Sequence, residues 1–91
     1  MLIARHFVVK GRVQGVGFRM FAEDAARREG LSGWVSNQSD GSVEIHAEGD
    51  LEAIDRFERR VRRGPPSARV DAVDVHEQAA SGRWTGFSVR S

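Results

Sequence analysis

Phe7-Val8-Val9-Lys10-Gly11-Arg12-Val13-Gln14-Gly15-Val16-Gly17-Phe18-Arg19-Met20-Phe21-Ala22-Glu23-Asp24-Ala25 changes its apolar period part-way along. Up to Val13, the residues Phe7, Val9 and Val13 alternate with polar or opposite-facing ones, the spacing of a half-buried strand over about residues 4–13. From Phe18 onward, Phe18, Phe21, Ala22 and Ala25 fall at i, i+3, i+4 and i+7, with Glu23, Asp24, Arg27 and Arg28 on the other face. That spacing predicts an amphipathic helix over about residues 18–29, closed by Gly30. The chain therefore opens strand, glycine-rich loop, helix.

Downstream, Trp34-Val35 and Val43, Ile45, Ala47 are short strand candidates joined by the hairpin connection Asn37-Gln38-Ser39-Asp40-Gly41. Asp50 offers an N-cap to a second helix whose apolar face is Leu51, Ile54, Phe57 and Val61, stopped near Arg63 by Gly64-Pro65-Pro66. Val70 to His76 reads as another strand, and Trp84 to Arg90 as a further one at the end. The order β-α-β-β-α-β is the split βαβ, ferredoxin-like plan: an α+β sandwich with an antiparallel sheet and two helices on one face. Pattern alone leaves open whether the first loop and the β2–β3 hairpin share an end of that sheet.

Ninety-one residues are expected to form one domain, 1–91, with no room for separate cofactor and substrate domains. The absence of cysteine excludes disulfides, Cys-ligated zinc, iron–sulfur clusters and thiol catalysis. A net charge of +1 gives no overall pull toward nucleic acid or an anionic membrane. Locally, residues 1–38 carry six basic and three acidic side chains, 39–58 one and seven, and 59–69 five and none, so an anion site belongs near the first or the last of these. Met1-Leu2-Ile3 is too short an apolar start for a signal peptide, and no run reaches the ~18 apolar residues of a membrane span, so a cytoplasmic protein is expected.

Gly11, Gly15 and Gly17 place three glycines within seven residues just ahead of a helix start. Such a loop can aim several N–H groups into one concavity, and the helix N-terminus adds partial positive charge. Arg19, in the first turn, is placed to reach over that concavity with a planar fork of donors. Neither a P-loop nor a Rossmann fingerprint is present, so the cradle fits one phosphoryl group and not a nucleotide. A plain glycine-rich turn with a surface arginine accounts for the same residues equally well.

The whole run Val9 to Arg19 resembles the first acylphosphatase signature. Gly33-Trp34-Val35-Ser36-Asn37-Gln38-Ser39-Asp40-Gly41-Ser42-Val43, with Gly49 beyond, resembles the second. The resemblance spans essentially the whole chain. It implies hydrolysis of the carboxyl–phosphate bond of acylphosphates with no metal or organic cofactor. By position, the family's phosphate-binding arginine falls on Arg19 and its water-positioning asparagine on Asn37. The phosphate-loop amides fall on Gly15, Val16, Gly17, Phe18, Arg19 and Met20. Ser36 departs from the family, which usually carries a basic or longer side chain there, and this bears on local charge more than on activity.

The resemblance further implies a small-molecule acylphosphate as substrate and inorganic phosphate as product and competing anion, with neither nucleic acid nor membrane as partner. The size and charge balance suit a monomer. The alternative is a non-catalytic phosphate- or acylphosphate-binding module, like the acylphosphatase-like domain of larger carbamoyl-transfer maturation proteins. RNA binding on the sheet would need the RNA-recognition pattern Lys/Arg-Gly-Phe/Tyr-Gly/Ala-Phe-Val, which the chain lacks.

Other residues have plainer readings. Arg59, Arg60, Arg62 and Arg63 are read as charges favourable to a helix C-terminus on a solvated face. His6, His46 and His76 lack helical metal-ligand spacing, and strand pairing decides whether they meet. Trp34 and Trp84 are read as packing residues with their indole N–H groups bonded. Glu23 and Asp24 are read as first-turn helix charges that point apart.

Overall fold

The computed structural model describes residues 1–90. Its elements are β1 (Leu2–Arg12), α1 (Phe18–Arg28), β2 (Ser32–Asn37), β3 (Val43–Asp50), α2 (Leu51–Arg63), β4 (Arg69–Ala79) and β5 (Phe87–Arg90). The sheet order is β4-β1-β3-β2-β5. β1 pairs antiparallel with β3 and β4, and β2 pairs antiparallel with β3, which is the ferredoxin-like arrangement. β5 adds a parallel edge strand beside β2, so the sheet is mixed and not antiparallel throughout. The reason is topological. β4 ends at one edge, and the chain must cross the sheet through residues 80–86 before it can pair at the other.

Cross-strand register shows why alternate residues form the core. Phe7 stands opposite Ile45 and Val75, Val9 opposite Val43 and Val73, and Val35 opposite Ile45, so these side chains share one face. The helices cover that face with Phe18, Ala22, Ala25 and Ala26 from α1 and Ala53, Ile54, Phe57 and Val61 from α2. Phe57 lies at the centre, edge-on to Phe7 at 5.7 Å and to Phe87 at 6.2 Å. α1 ends in a Schellman motif: Gly30 (φ +71) donates to the Arg27 carbonyl, and Leu31 donates to Ala26 before turning into the core. α2 begins as expected, with the Asp50 carboxylate accepting from Glu52 N–H at 3.2 Å.

The opposite face carries His76, His6, His46 and Trp34 in one cross-strand row. Strand pairing thus brings the three histidines into line, although no group of three or more metal-ligating side chains with metal geometry occurs among the described residues. The crossing segment after β4 folds over this row. Glu48, buried on β3, accepts from Ser81 N–H at 3.0 Å, Ser81 Oγ at 2.8 Å, Gly82 N–H at 3.0 Å and His46 Nε2 at 2.8 Å. Trp84, expected to begin the last strand, belongs to this segment and packs against His46 at 6.0 Å. Neither indole N–H has a protein partner among the described residues; both tryptophans are half-buried, and no buried polar atom is left unpaired. No helix of the described residues is long and apolar enough to cross a membrane.

Candidate active site

β1 and β2 run parallel on either side of β3, so the loop after β1 and the hairpin after β2 emerge at the same end of the sheet. Two residues from separate elements meet there. Arg19, in the first turn of α1, and Asn37, the last residue of β2, line one pocket of about 140 Å³ together with Val13, Gly15, Gly17, Phe18 and Met20. Of the expected loop residues, Val16 alone does not line it; it packs on the core, and its carbonyl accepts from Ser67 Oγ at 3.0 Å.

Glycine is needed in this loop for a conformational reason. Gly15 and Gly17 sit at φ +72 and +77, in the left-handed region that L side chains rarely adopt, and Gly17 is the N-cap of α1. With glycine at the cap, no side chain caps the helix. Phe21 N–H bonds the Gly17 carbonyl, but the N–H groups of Phe18, Arg19 and Met20 have no partner among the described residues. These are the open donors of a helix N-terminus, and they carry its partial positive charge. Phe18 contributes its amide here while its ring is buried in the core, as its place in the apolar stripe predicts.

The pocket is electropositive by composition. No acidic side chain among the described residues lines it, and the first turn of α1 contains none. Arg19 forms no ion pair or hydrogen bond among the described residues, so its five donors are uncommitted. The Asn37 side-chain amide is likewise unpartnered. Glu23 and Asp24 lie beyond the first turn and pair separately with Arg27 at 3.1 Å and Arg28 at 2.9 Å, which corrects their reading as first-turn charges. Ser36 is buried, and its hydroxyl donates to the Asn37 backbone carbonyl at 3.3 Å; Arg90 pairs opposite it on β5 and stacks 4.6 Å over Trp34.

The hairpin that ends in Asn37 is closed by Gln38 N–H to the Ser42 carbonyl (2.9 Å) and Gly41 N–H to the Gln38 carbonyl (3.1 Å). Asp40 accepts from both the hydroxyl and N–H of Ser42, and these bonds hold its carboxyl below the usual range. Gln14 reaches across from the loop: its Nε2 donates to the carbonyls of Gln38 at 2.7 Å and Ser42 at 2.9 Å. Sequence reasoning gave no role to Gln14, Ser67 or Glu48, because Gln38 and Ser42, Val16, and Ser81 and Gly82, which they respectively meet, lie far along the chain.

A wider cleft of about 490 Å³ lies on another flank of α1, lined by Phe21, Arg28, Arg60, Arg63 and the Pro65-Pro66 turn among others. The open helix-start amides of Phe18–Met20, Arg19 and Asn37 belong to the smaller pocket and do not line this cleft. Arg62 pairs with Glu58 at 3.0 Å, and Arg60, Arg62 and Arg63 occupy the last turn of α2, as expected for charges at a helix C-terminus.

A family model described as Acylphosphatase matches residues 5–89. An acylphosphatase of Methylococcus capsulatus is 51% identical over 84 residues, covering 92% of this chain and 91% of that protein. The crystal structure of acylphosphatase from Bacillus subtilis superposes with a TM-score of 0.93 at 42% identity, covering 100% of both chains. A full-length HypF, solved in a phosphate- and nucleotide-bound form, matches at TM-score 0.91 and 33% identity over 100% of this chain but 12% of its own.

Proposed function

Because the chain belongs to the acylphosphatase family and is an acylphosphate hydrolase, we propose that the pocket between the Gly15–Met20 loop and Asn37 is where it works. In this reading, Arg19 and the amides of Gly15 to Met20 hold the phosphoryl group, and Asn37 orients the attacking water. The supporting observation is that an arginine and an asparagine amide with no partner among the described residues, the one on α1 and the other at the end of β2, line one small pocket with the uncapped start of α1.

An acylphosphate carries a leaving group that departs as a carboxylate without prior protonation, so positioning and charge stabilisation carry the reaction. Arg19 presents donors to two phosphoryl oxygens, and the helix-start amides face charge that sits on the equatorial oxygens through the transition state. The side-chain carbonyl of Asn37 accepts from the water while its NH₂ contacts substrate, which aims the water oxygen at phosphorus. The new P–O bond forms as the P–O bond to the acyl group breaks. The carboxylate leaves with the electron pair, and the water proton passes to a phosphate oxygen. No step calls on a metal or a strong general acid.

The test is phosphate release from benzoyl phosphate in the presence of EDTA. Hydrolysis at the same rate with and without chelator is expected. Loss of hydrolysis in EDTA would overturn the metal-free reading. Binding of phosphate without any turnover would favour an acylphosphate-binding module, a reading to which the likeness to a small part of HypF lends its only support.

A further inference from the structure

β3 stands between β1 and β2, so no direct strand pairing sets the phosphate loop against the hairpin that ends in Asn37. Among the described residues, the only hydrogen bonds between that loop and that hairpin come from Gln14. We propose that Gln14 is a positioning residue for acylphosphate hydrolysis, setting where Asn37 stands relative to the phosphate cradle. The proposal rests on the reading of Asn37 as the water-orienting residue.

The chemistry of the contact suits this role. A side-chain amide has two N–H donors, and Gln14 spends both on carbonyls that flank the hairpin mouth, Gln38 at 2.7 Å and Ser42 at 2.9 Å. The Gln38 carbonyl follows Asn37 directly, and Ser42 precedes the Val43 that pairs with Asn37, so the side chain holds both strands at the level of the site. Gln14 is half-buried, which limits competition from water. The cradle has a separate anchor on its other flank, where Ser67 Oγ donates to the Val16 carbonyl at 3.0 Å. Removing the Gln14 donors therefore loosens the hairpin relative to the loop while the loop keeps its hold on the α2–β4 turn. In-line attack depends steeply on placement, with a misplacement of about 1 Å able to cost on the order of a hundredfold in rate.

The experiment is a double-mutant cycle in benzoyl phosphate hydrolysis with Gln14→Met, Asn37→Ala and the combined variant, alongside inhibition by inorganic phosphate. Gln14→Met keeps the length of the side chain and removes both donors; Gln14→Ala replaces it if the methionine variant does not fold. Expected is a fall in kcat of about tenfold for Gln14→Met, with phosphate inhibition within about twofold of the parent, and almost no further loss in the Asn37→Ala background, because residues that act through one another are not additive. A full, additive loss in that background would overturn the proposal, since a purely structural role costs the same with or without Asn37. Phosphate inhibition weakened in parallel with kcat would assign Gln14 to the cradle instead and overturn it equally, as would an unchanged kcat. Near-parental turnover by Asn37→Ala itself marks a different failure, that of the Asn37 reading on which the proposal stands.

Discussion

Replacing Glu48 by Gln tests how the crossing segment is held to the sheet, and the expected effect has a pH signature. The carboxylate is buried, and burial by itself raises its pKa; hydrogen bonds from His46, Ser81 and Gly82 outweigh that and hold it at about 2, against an ordinary value of 4.5. A carboxyl lowered on folding contributes stability that is fully present above its unfolded value and is lost as pH falls through its folded value. Here that window runs from about 4.5 down to about 2. The gap is worth about 3 kcal/mol at neutral pH. In Glu48→Gln the side-chain carbonyl can still accept from Ser81 and Gly82 N–H, but the charge assistance is gone. The expected loss is about 2 kcal/mol at pH 7, or about 10 °C in Tm for a domain of this size. Urea unfolding of both proteins at pH 7, 5, 3 and 2 reads the difference directly. It should shrink toward zero as the wild type is acidified through the window. Two curves that stay parallel from pH 5 to pH 2 would show that Glu48 does not hold the segment by its charge.

Three further outcomes are expected. Arg19→Ala should lower kcat by about two orders of magnitude and weaken inhibition by phosphate as well; unchanged inhibition contradicts the phosphate clamp. Asn37→Ala should lower kcat by a similar factor, about a hundredfold, while phosphate inhibits as before, because the cradle is intact; parallel weakening of inhibition refutes the separation of roles. Phe57→Ala, at the junction of Phe7 and Phe87, should cost about 3–5 kcal/mol of stability by thermal or urea unfolding, the price of an aromatic-sized cavity in a buried core.

What could be read from the sequence follows from whether the deciding interaction is local. The change of period between Val13 and Phe18 announces strand then helix because each pattern is set by neighbours a few residues apart, and β1, α1 and α2 lie where that spacing puts them. Asp50 and Gly30 mark helix ends by the same local logic. Trp84 misleads for the opposite reason: an aromatic shortly before Phe87 and Val89 reads as the start of their apolar run although it sits three residues before Phe87 and so out of step with it, and it packs instead against His46, distant in sequence. Glu48 and Ser81 meet across 33 residues, and nothing near either one announces the other. Arg19 and Asn37 were legible as candidates through their signatures, whereas their convergence on one pocket required the strand order β1-β3-β2, which no local pattern supplies.

That strand order also keeps the device that holds the crossing segment away from the pocket. β3 places Val43 beside Asn37 at one end and Glu48 beneath Ser81 and Gly82 toward the other. Five residues of extended chain separate them, roughly 17 Å. Over that distance two unit charges interact by only about 1 kcal/mol even at an effective dielectric of about 20. Glu48 therefore acts little on the pocket, whose positive character at the site comes from the uncapped start of α1 and from Arg19. Loss of the Glu48 charge should reach the pocket only by unfolding the protein, whereas loss of the Gln14 donors should act on the pocket while the fold stands. The two perturbations separate because the fold assigns anchoring of the chain's return crossing to one end of β3 and alignment of loop and hairpin to the other.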